Sequence, residues 1–143
     1  KAYSAAGVEI NNKEKGIFVT LSDDKKSYFL DTIKKYIELE FTVYSTQGTG
    51  EFLKSKGIDS IIVGKANDTG QTSLSIIDEK LVSLVINTPT YANELTDGWK
   101  IRRLSHETGV AVVSSVREAD AFIEAFLKRN SVLEDMDAIQ NVS

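Results

Sequence analysis

The stretch Thr46-Gln47-Gly48-Thr49-Gly50 holds the ingredients of a phosphate cradle. Two hydroxyls can donate hydrogen bonds, two glycines let backbone N–H groups approach an oxygen, and a helical pattern begins directly afterwards. Lys26 or Lys65 would supply the cation that neutralises such a ligand. Taken alone, threonine and glycine at a strand-to-helix turn are better explained by helix capping. The balance shifts because four candidate strand ends are polar together: Thr20 to Lys26, Ser45 to Gly50, Gly64-Lys65, and Asn87-Thr88-Pro89-Thr90. Other chemistry is poorly supported. His106 is the single histidine and has no second histidine with which to hold a metal, so it is given no role. Asp23 and Asp24 could work as acid or base, but two carboxylates opening a helix are more simply cap and dipole partners. Arg102 and Arg103 could hold an anion at a subunit interface, though neighbours on a helix point in different directions. Trp99 reads as core or interface.

Positioning these groups requires a parallel sheet covered by helices, since short β-branched runs alternate with stretches of helical period from Gly16 onward. Strands are expected at Ile17–Leu21, Phe41–Ser45, Ser60–Val63, Leu84–Asn87 and Val110–Val113, each nearly continuous in apolar character as a strand covered on both faces should be. Helices are expected over about 25–38, with Phe29, Ile33, Tyr36 and Ile37 inward and a cap from Ser22-Asp23-Asp24. Further helices fall at 50–56, ended by Gly57, at 73–79, at 99–108, ended by Gly109, and at 116–129, with Phe122, Ile123, Phe126 and Leu127 as its buried stripe. The fold class is α/β, a three-layer α/β/α sandwich around five parallel strands. Residues 1–15 read as a linker, 16–130 as the domain and 131–143 as an acidic tail. In such a sheet, ligands gather beyond the carboxyl ends of the strands.

Composition bounds the partners. With 143 residues, 41% of them hydrophobic, the chain can bury one core but not two. A net charge of -4, from 17 basic and 21 acidic residues, argues against general nucleic-acid binding, so any anion site must be local. The absence of cysteine excludes disulfides, thiolate zinc sites and a cysteine nucleophile, and points to the cytoplasm. No apolar run approaches the roughly 20 residues of a membrane span, and the N-terminus lacks a signal peptide's apolar core. A chain opening on Lys1 rather than methionine reads as a piece of a longer one.

Gly16 to Lys26, Thr46-Gln47-Gly48-Thr49, Leu84 to Pro89 and Ile101-Arg102-Arg103 together resemble the methylglyoxal synthase-like superfamily, whose fold is Rossmann-like. Its members include methylglyoxal synthase, the cyclohydrolase domain of the bifunctional last enzyme of purine synthesis, and the C-terminal regulatory domain of carbamoyl-phosphate synthase large chains. The strand end Val85-Ile86-Asn87-Thr88 with Ile101-Arg102-Arg103 is similar to the synthase domain, as is the joining segment Ala2 to Gly7. That resemblance implies an allosteric module, not itself an enzyme. It would bind UMP, or IMP in some members, to control carbamoyl phosphate synthesis for pyrimidines and arginine; urea-cycle members take N-acetylglutamate. Lys26, Thr46, Thr49 and Lys65 would hold the effector phosphate, with Thr20 and Asn87 at the ribose and base. Val113 stands where ornithine-responsive members have an aspartate, and Pro89 where some have a hydroxyl. The domain would carry no cofactor, whereas the full synthase uses ATP, magnesium and potassium. Its partners would be the rest of the large chain, the glutaminase small chain and a further copy of itself. The alternative enzyme, methylglyoxal synthase acting on dihydroxyacetone phosphate, lacks part of its catalytic set, since Pro89 and Glu94 fall where another carboxylate and the histidine are expected. A third reading is an interaction module that supports oligomerisation.

Overall fold

Five short parallel strands form one sheet in the computed structural model, which describes the backbone of residues 15–64, 70–88 and 97–142 and the side chains of 15–64, 70–88 and 100–129. They are β1 (Gly16–Thr20), β2 (Thr42–Ser45), β3 (Ile61–Ile62), β4 (Leu84–Asn87) and β5 (Ala111–Val113), in the order β3-β2-β1-β4-β5. The helices are α1 (Leu30–Glu38), entered through a 3-10 turn at Lys26–Phe29, α2 (Gln47–Ser55), α3 (Ser73–Asp78), α4 (Asp97–Thr108) and α5 (Val116–Val142). From β1 the chain builds outward to β2 and β3, then returns to the other side of β1 for β4 and β5. The reversal opens a crevice between the carboxyl ends of β1 and β4, in register at Thr20 and Asn87.

Alternation along β1 divides the core in two. Ile17 and Val19 pack with Phe29, Ile33 and Tyr36, with Leu53 of α2, and with Ala119 and Ile123 of α5. Phe18 turns to the opposite face, among Val63, Ile76, Ile77, Val85 and Ile101. Each such fully buried Ile or Phe contributes roughly 1.5–3 kcal/mol over its exposed state. Gly16 is required by close approach: a Cβ there would run into the carbonyl oxygen of Leu81, just before Ser83 N–H donates to Gly16 O at 2.9 Å. Gly57 and Gly109 adopt φ of 80° and 78° at the ends of α2 and α4, as left-handed caps do.

Several expectations are corrected. Ser22, Asp23 and Asp24 do not cap a helix through their side chains; Lys25 N–H donates to Ser22 O at 3.0 Å, and the 3-10 turn follows. α2 starts three residues earlier than its apolar pattern suggested. Ile37 and Leu127 sit at the margins of their helical stripes and are exposed, while Thr32 and Ala119 take buried positions. β3 is an edge strand with both isoleucines half exposed, not a doubly covered one. α5 runs on to Val142 through residues read as a tail, because no glycine or proline follows Arg129 to stop it. The linker residues 1–14 lie outside the described residues.

Tyr36 ties α1 to α5. Its phenol is buried and donates to Ala119 O at 2.6 Å. Burial, and secondarily the Asp120 carboxylate, push this phenol well above its ordinary 10.0. The folded chain therefore holds the proton more tightly than the unfolded chain, so this stability is intact below about pH 10 and is lost as the pH rises further. Tyr36→Phe should lower the unfolding free energy at neutral pH by about 1–2 kcal/mol, read from the urea midpoint, and should flatten the alkaline loss. An unchanged midpoint and an unchanged alkaline slope would contradict this role.

Candidate functional site

At the crevice the polar strand ends are joined to one another. Ser22 N–H donates to Thr88 Oγ1 at 2.7 Å, Thr88 N–H donates to Thr20 O at 3.1 Å, and the Thr88 hydroxyl reaches Ser22 Oγ at 3.3 Å. The loop after β1 is thereby fastened to the end of β4. A second fastening runs to α2: Leu21 N–H donates to Thr49 Oγ1 at 3.0 Å, and Thr46 Oγ1 donates to the same oxygen at 3.2 Å. Thr49 is 2% exposed. With both lone pairs occupied, its hydroxyl keeps one thing to offer a ligand, its proton.

Thr46 stands at the N-cap of α2 in extended conformation, and its side chain makes no cap hydrogen bond. Among the described residues no side chain accepts from the first-turn N–H groups of α2, and the positive end of the helix dipole faces Lys26. Into this spot comes Lys26. A Cβ on Gly48, in the first turn of α2, would lie 3.9 Å from Lys26 Nζ, so the ammonium stands over the helix end. Its side chain is only 15% exposed, and it donates to Asp23 Oδ1 at 2.6 Å, while Asp23 is almost fully in solvent. That hydrogen bond, followed by the lysine's charge, holds the Asp23 carboxyl below its ordinary value. A cation set on a helix N-terminus is unfavourable by itself, and an anion between them relieves both.

The two glycines of the cradle do different work. A Cβ on Gly50 would meet Ser45 Oγ at 2.7 Å and Ile62 Cγ1 at 2.8 Å, so glycine there lets α2 close onto β2 and β3. The expectation that both glycines serve ligand approach is corrected; Gly48 alone faces the lysine.

Of the residues expected to hold the phosphate, Lys26, Thr46 and Thr49 come together, whereas Lys65 lies outside the described residues. Thr20 and Asn87 are lateral neighbours at the crevice, Thr20 half buried and Asn87 buried. Beside Asn87 opens a cleft of about 510 Å³ lined also by Arg102, His106, Val113 and Ser114. Arg102, weighed from the sequence as an anion holder at an interface, and His106, given no role there, both line this cleft, and their i, i+4 spacing was a usable sign of a shared face. Arg103 instead pairs with Glu107 at 3.2 Å. The Ser22–Thr88 clasp carried no signal in the sequence, since it joins residues 66 positions apart. Pro89 and Glu94 lie outside the described residues, and so does the side chain of Trp99.

The chain is 32% identical over 126 residues to the carbamoyl phosphate synthase large chain of Clostridium acetobutylicum, covering 87% of this chain and 11% of that protein. It is 31% identical over 110 residues to the carbamoyl phosphate synthase large chain, C-terminal section, of Methanocaldococcus jannaschii, covering 76% of this chain and 18% of that one. To the large chain of Micrococcus luteus it is 33% identical over 130 residues, again covering 87% of this chain and 12% of the relative. The chain therefore spans between about a tenth and a fifth of the length of these relatives. The family model described as the MGS-like domain matches residues 28–114, from within the 3-10 turn, through the α2 N-terminus and the end of β4, to just past β5; β1 and Lys26 precede the match. With five parallel strands in this order and that match over more than half its length, the chain belongs to the family of MGS-like domains.

Proposed function

We propose that this domain is the allosteric module at the C-terminal end of a carbamoyl-phosphate synthase large chain, and that it binds a nucleoside monophosphate, UMP or in its place IMP. The observation that carries the reading is the Lys26 ammonium over the uncapped N-terminus of α2. That arrangement suits a phosphate group, which would displace Asp23 from the lysine and accept from the first-turn N–H groups, from the Thr49 hydroxyl, and from the Thr46 hydroxyl once its proton turns from Thr49 to the ligand. Lys65 would reach the phosphate from the loop after β3. The sugar and base would extend along Thr20 and Asn87, toward the cleft beside α4. The relatives' names support the parent protein. Nucleotide binding would shift the attached catalytic body between two states through its different affinity for each.

In this reading the domain catalyses nothing and holds no cofactor; ATP, magnesium and potassium belong to the catalytic body, and ammonia comes from the glutaminase small chain. The product, carbamoyl phosphate, would feed pyrimidine and arginine synthesis in the cytoplasm. No helix among the described residues is long and apolar enough to cross a membrane. Val113, buried at the end of β5, offers no carboxylate to an ornithine ammonium, and in this reading ornithine should not act as an effector.

Lys26→Met removes the charge while keeping the packed stem. It should weaken UMP binding in calorimetry by about tenfold or more, because a charge-assisted bond to phosphate is worth on the order of 2 kcal/mol. Uridine should bind poorly to the wild type and be indifferent to the change; equal UMP affinity in the two proteins would remove the phosphate from this site. Thr49→Val should lower stability by about 1–3 kcal/mol as well as affinity, because it leaves the Leu21 N–H buried without its acceptor. Dihydroxyacetone phosphate should yield no methylglyoxal above background, and sustained turnover abolished by Asp23→Asn would establish the enzyme reading instead.

A further inference from the structure

Thr88 follows the last residue of β4 and is buried. Its backbone already continues the sheet, because Thr88 N–H donates to Thr20 O at 3.1 Å just beyond the Thr20–Asn87 register pair. Nothing in that pairing calls for a hydroxyl. A valine, with the same branched shape, would suit a buried strand end equally well. The hydroxyl is nevertheless fully engaged, accepting from Ser22 N–H at 2.7 Å and donating to Ser22 Oγ at 3.3 Å. With its single proton committed to Ser22, it is placed to hold the loop and not to contact a ligand.

Beyond Ser22, the hydrogen bonds of the loop as far as Lys26 are internal to it among the described residues. Lys25 N–H closes onto Ser22 O at 3.0 Å, and Lys26 Nζ donates to Asp23 Oδ1 at 2.6 Å. A turn closed on itself moves with the residue that anchors it, which here is Ser22. We propose that Thr88 is a positioning residue for the effector phosphate: its hydroxyl fixes Ser22 and, through the closed turn, fixes where the Lys26 ammonium stands over the first turn of α2. This role rests on the phosphate reading of the site and adds to it a residue that touches no ligand. A charge-assisted bond depends steeply on placement, so a seat loosened by about 1 Å loses affinity with all its donors still present.

Amide hydrogen exchange and UMP calorimetry on the 143-residue chain test it, with Thr88→Val to delete the hydroxyl and Thr88→Ser to restore it. Without ligand, the Ser22 amide should exchange roughly threefold to tenfold faster in Thr88→Val, the factor that one ordinary hydrogen bond is worth, and near the wild-type rate in Thr88→Ser. UMP affinity should fall by about threefold or more in Thr88→Val and recover in Thr88→Ser, while uridine binding stays as it was. In a Lys26→Met background the same Thr88→Val change should cost nothing further, because Thr88 acts only through the lysine. A folded Thr88→Val protein that binds UMP as the wild type does, or whose loss adds in full to that of Lys26→Met, overturns the positioning role and leaves the phosphate site standing. A Lys26→Met change without effect overturns the phosphate site, and the positioning role with it. Should Thr88→Val fail to fold, the wild type decides: saturating UMP must slow exchange at the Ser22 amide, since coupling between two sites is reciprocal, and unchanged exchange there would overturn the role.

Discussion

Two positive sources share one place in this fold: the Lys26 ammonium and the open N-terminus of α2. Their mutual repulsion is tolerated because surrounding contacts hold each of them in position. The lysine rides on a loop fastened to β4 through Ser22 and Thr88, and the helix end is fastened to β1 through Thr49 and Leu21. Gly50 brings α2 down onto β2 and β3 at a distance no other residue allows. The sheet's reversal between β1 and β4 supplies the crevice in which these fastenings meet. Asp23 answers the lysine from solvent, an exchangeable partner where a phosphate would be a better one.

Much of this could be read from the chain. The strands were visible as short apolar runs because a parallel sheet covered on both faces needs little alternation. For the same reason β3 was misjudged: Ile61-Ile62 reads alike in the centre of a sheet and at its edge, and only strand order separates the two. Helical period placed Phe29, Ile33 and Tyr36 correctly in the core but drew in Ile37 and Leu127, whose burial depends on how far neighbouring elements reach around the helix. The start of α1 was expected to be capped by Ser22-Asp23-Asp24, yet the chain makes a tight turn there and delivers Lys26 sideways toward α2.

The site was legible as a set of residue types and not as a geometry. Lys26, Thr46 and Thr49 could be grouped because they follow strand ends that topology brings together. The division of labour between Gly48 and Gly50 could not, since it depends on what a Cβ would meet in three dimensions. Nor could the burial of Thr49, which makes that residue a structural joint as much as a ligand donor. Membership among MGS-like domains agrees with this picture, and the similar synthase large chain of Clostridium acetobutylicum is much longer than this chain, which covers 11% of it.

The central claim is that a nucleotide phosphate seats between Lys26 and the first turn of α2. Backbone amide NMR of the chain during titration with UMP addresses it most directly, since each N–H group reports its own environment. The account predicts saturable shifts largest at Gln47, Gly48 and Thr49, with accompanying shifts through the loop from Leu21 to Lys26. Saturable shifts centred elsewhere, with those amides unmoved, would contradict it.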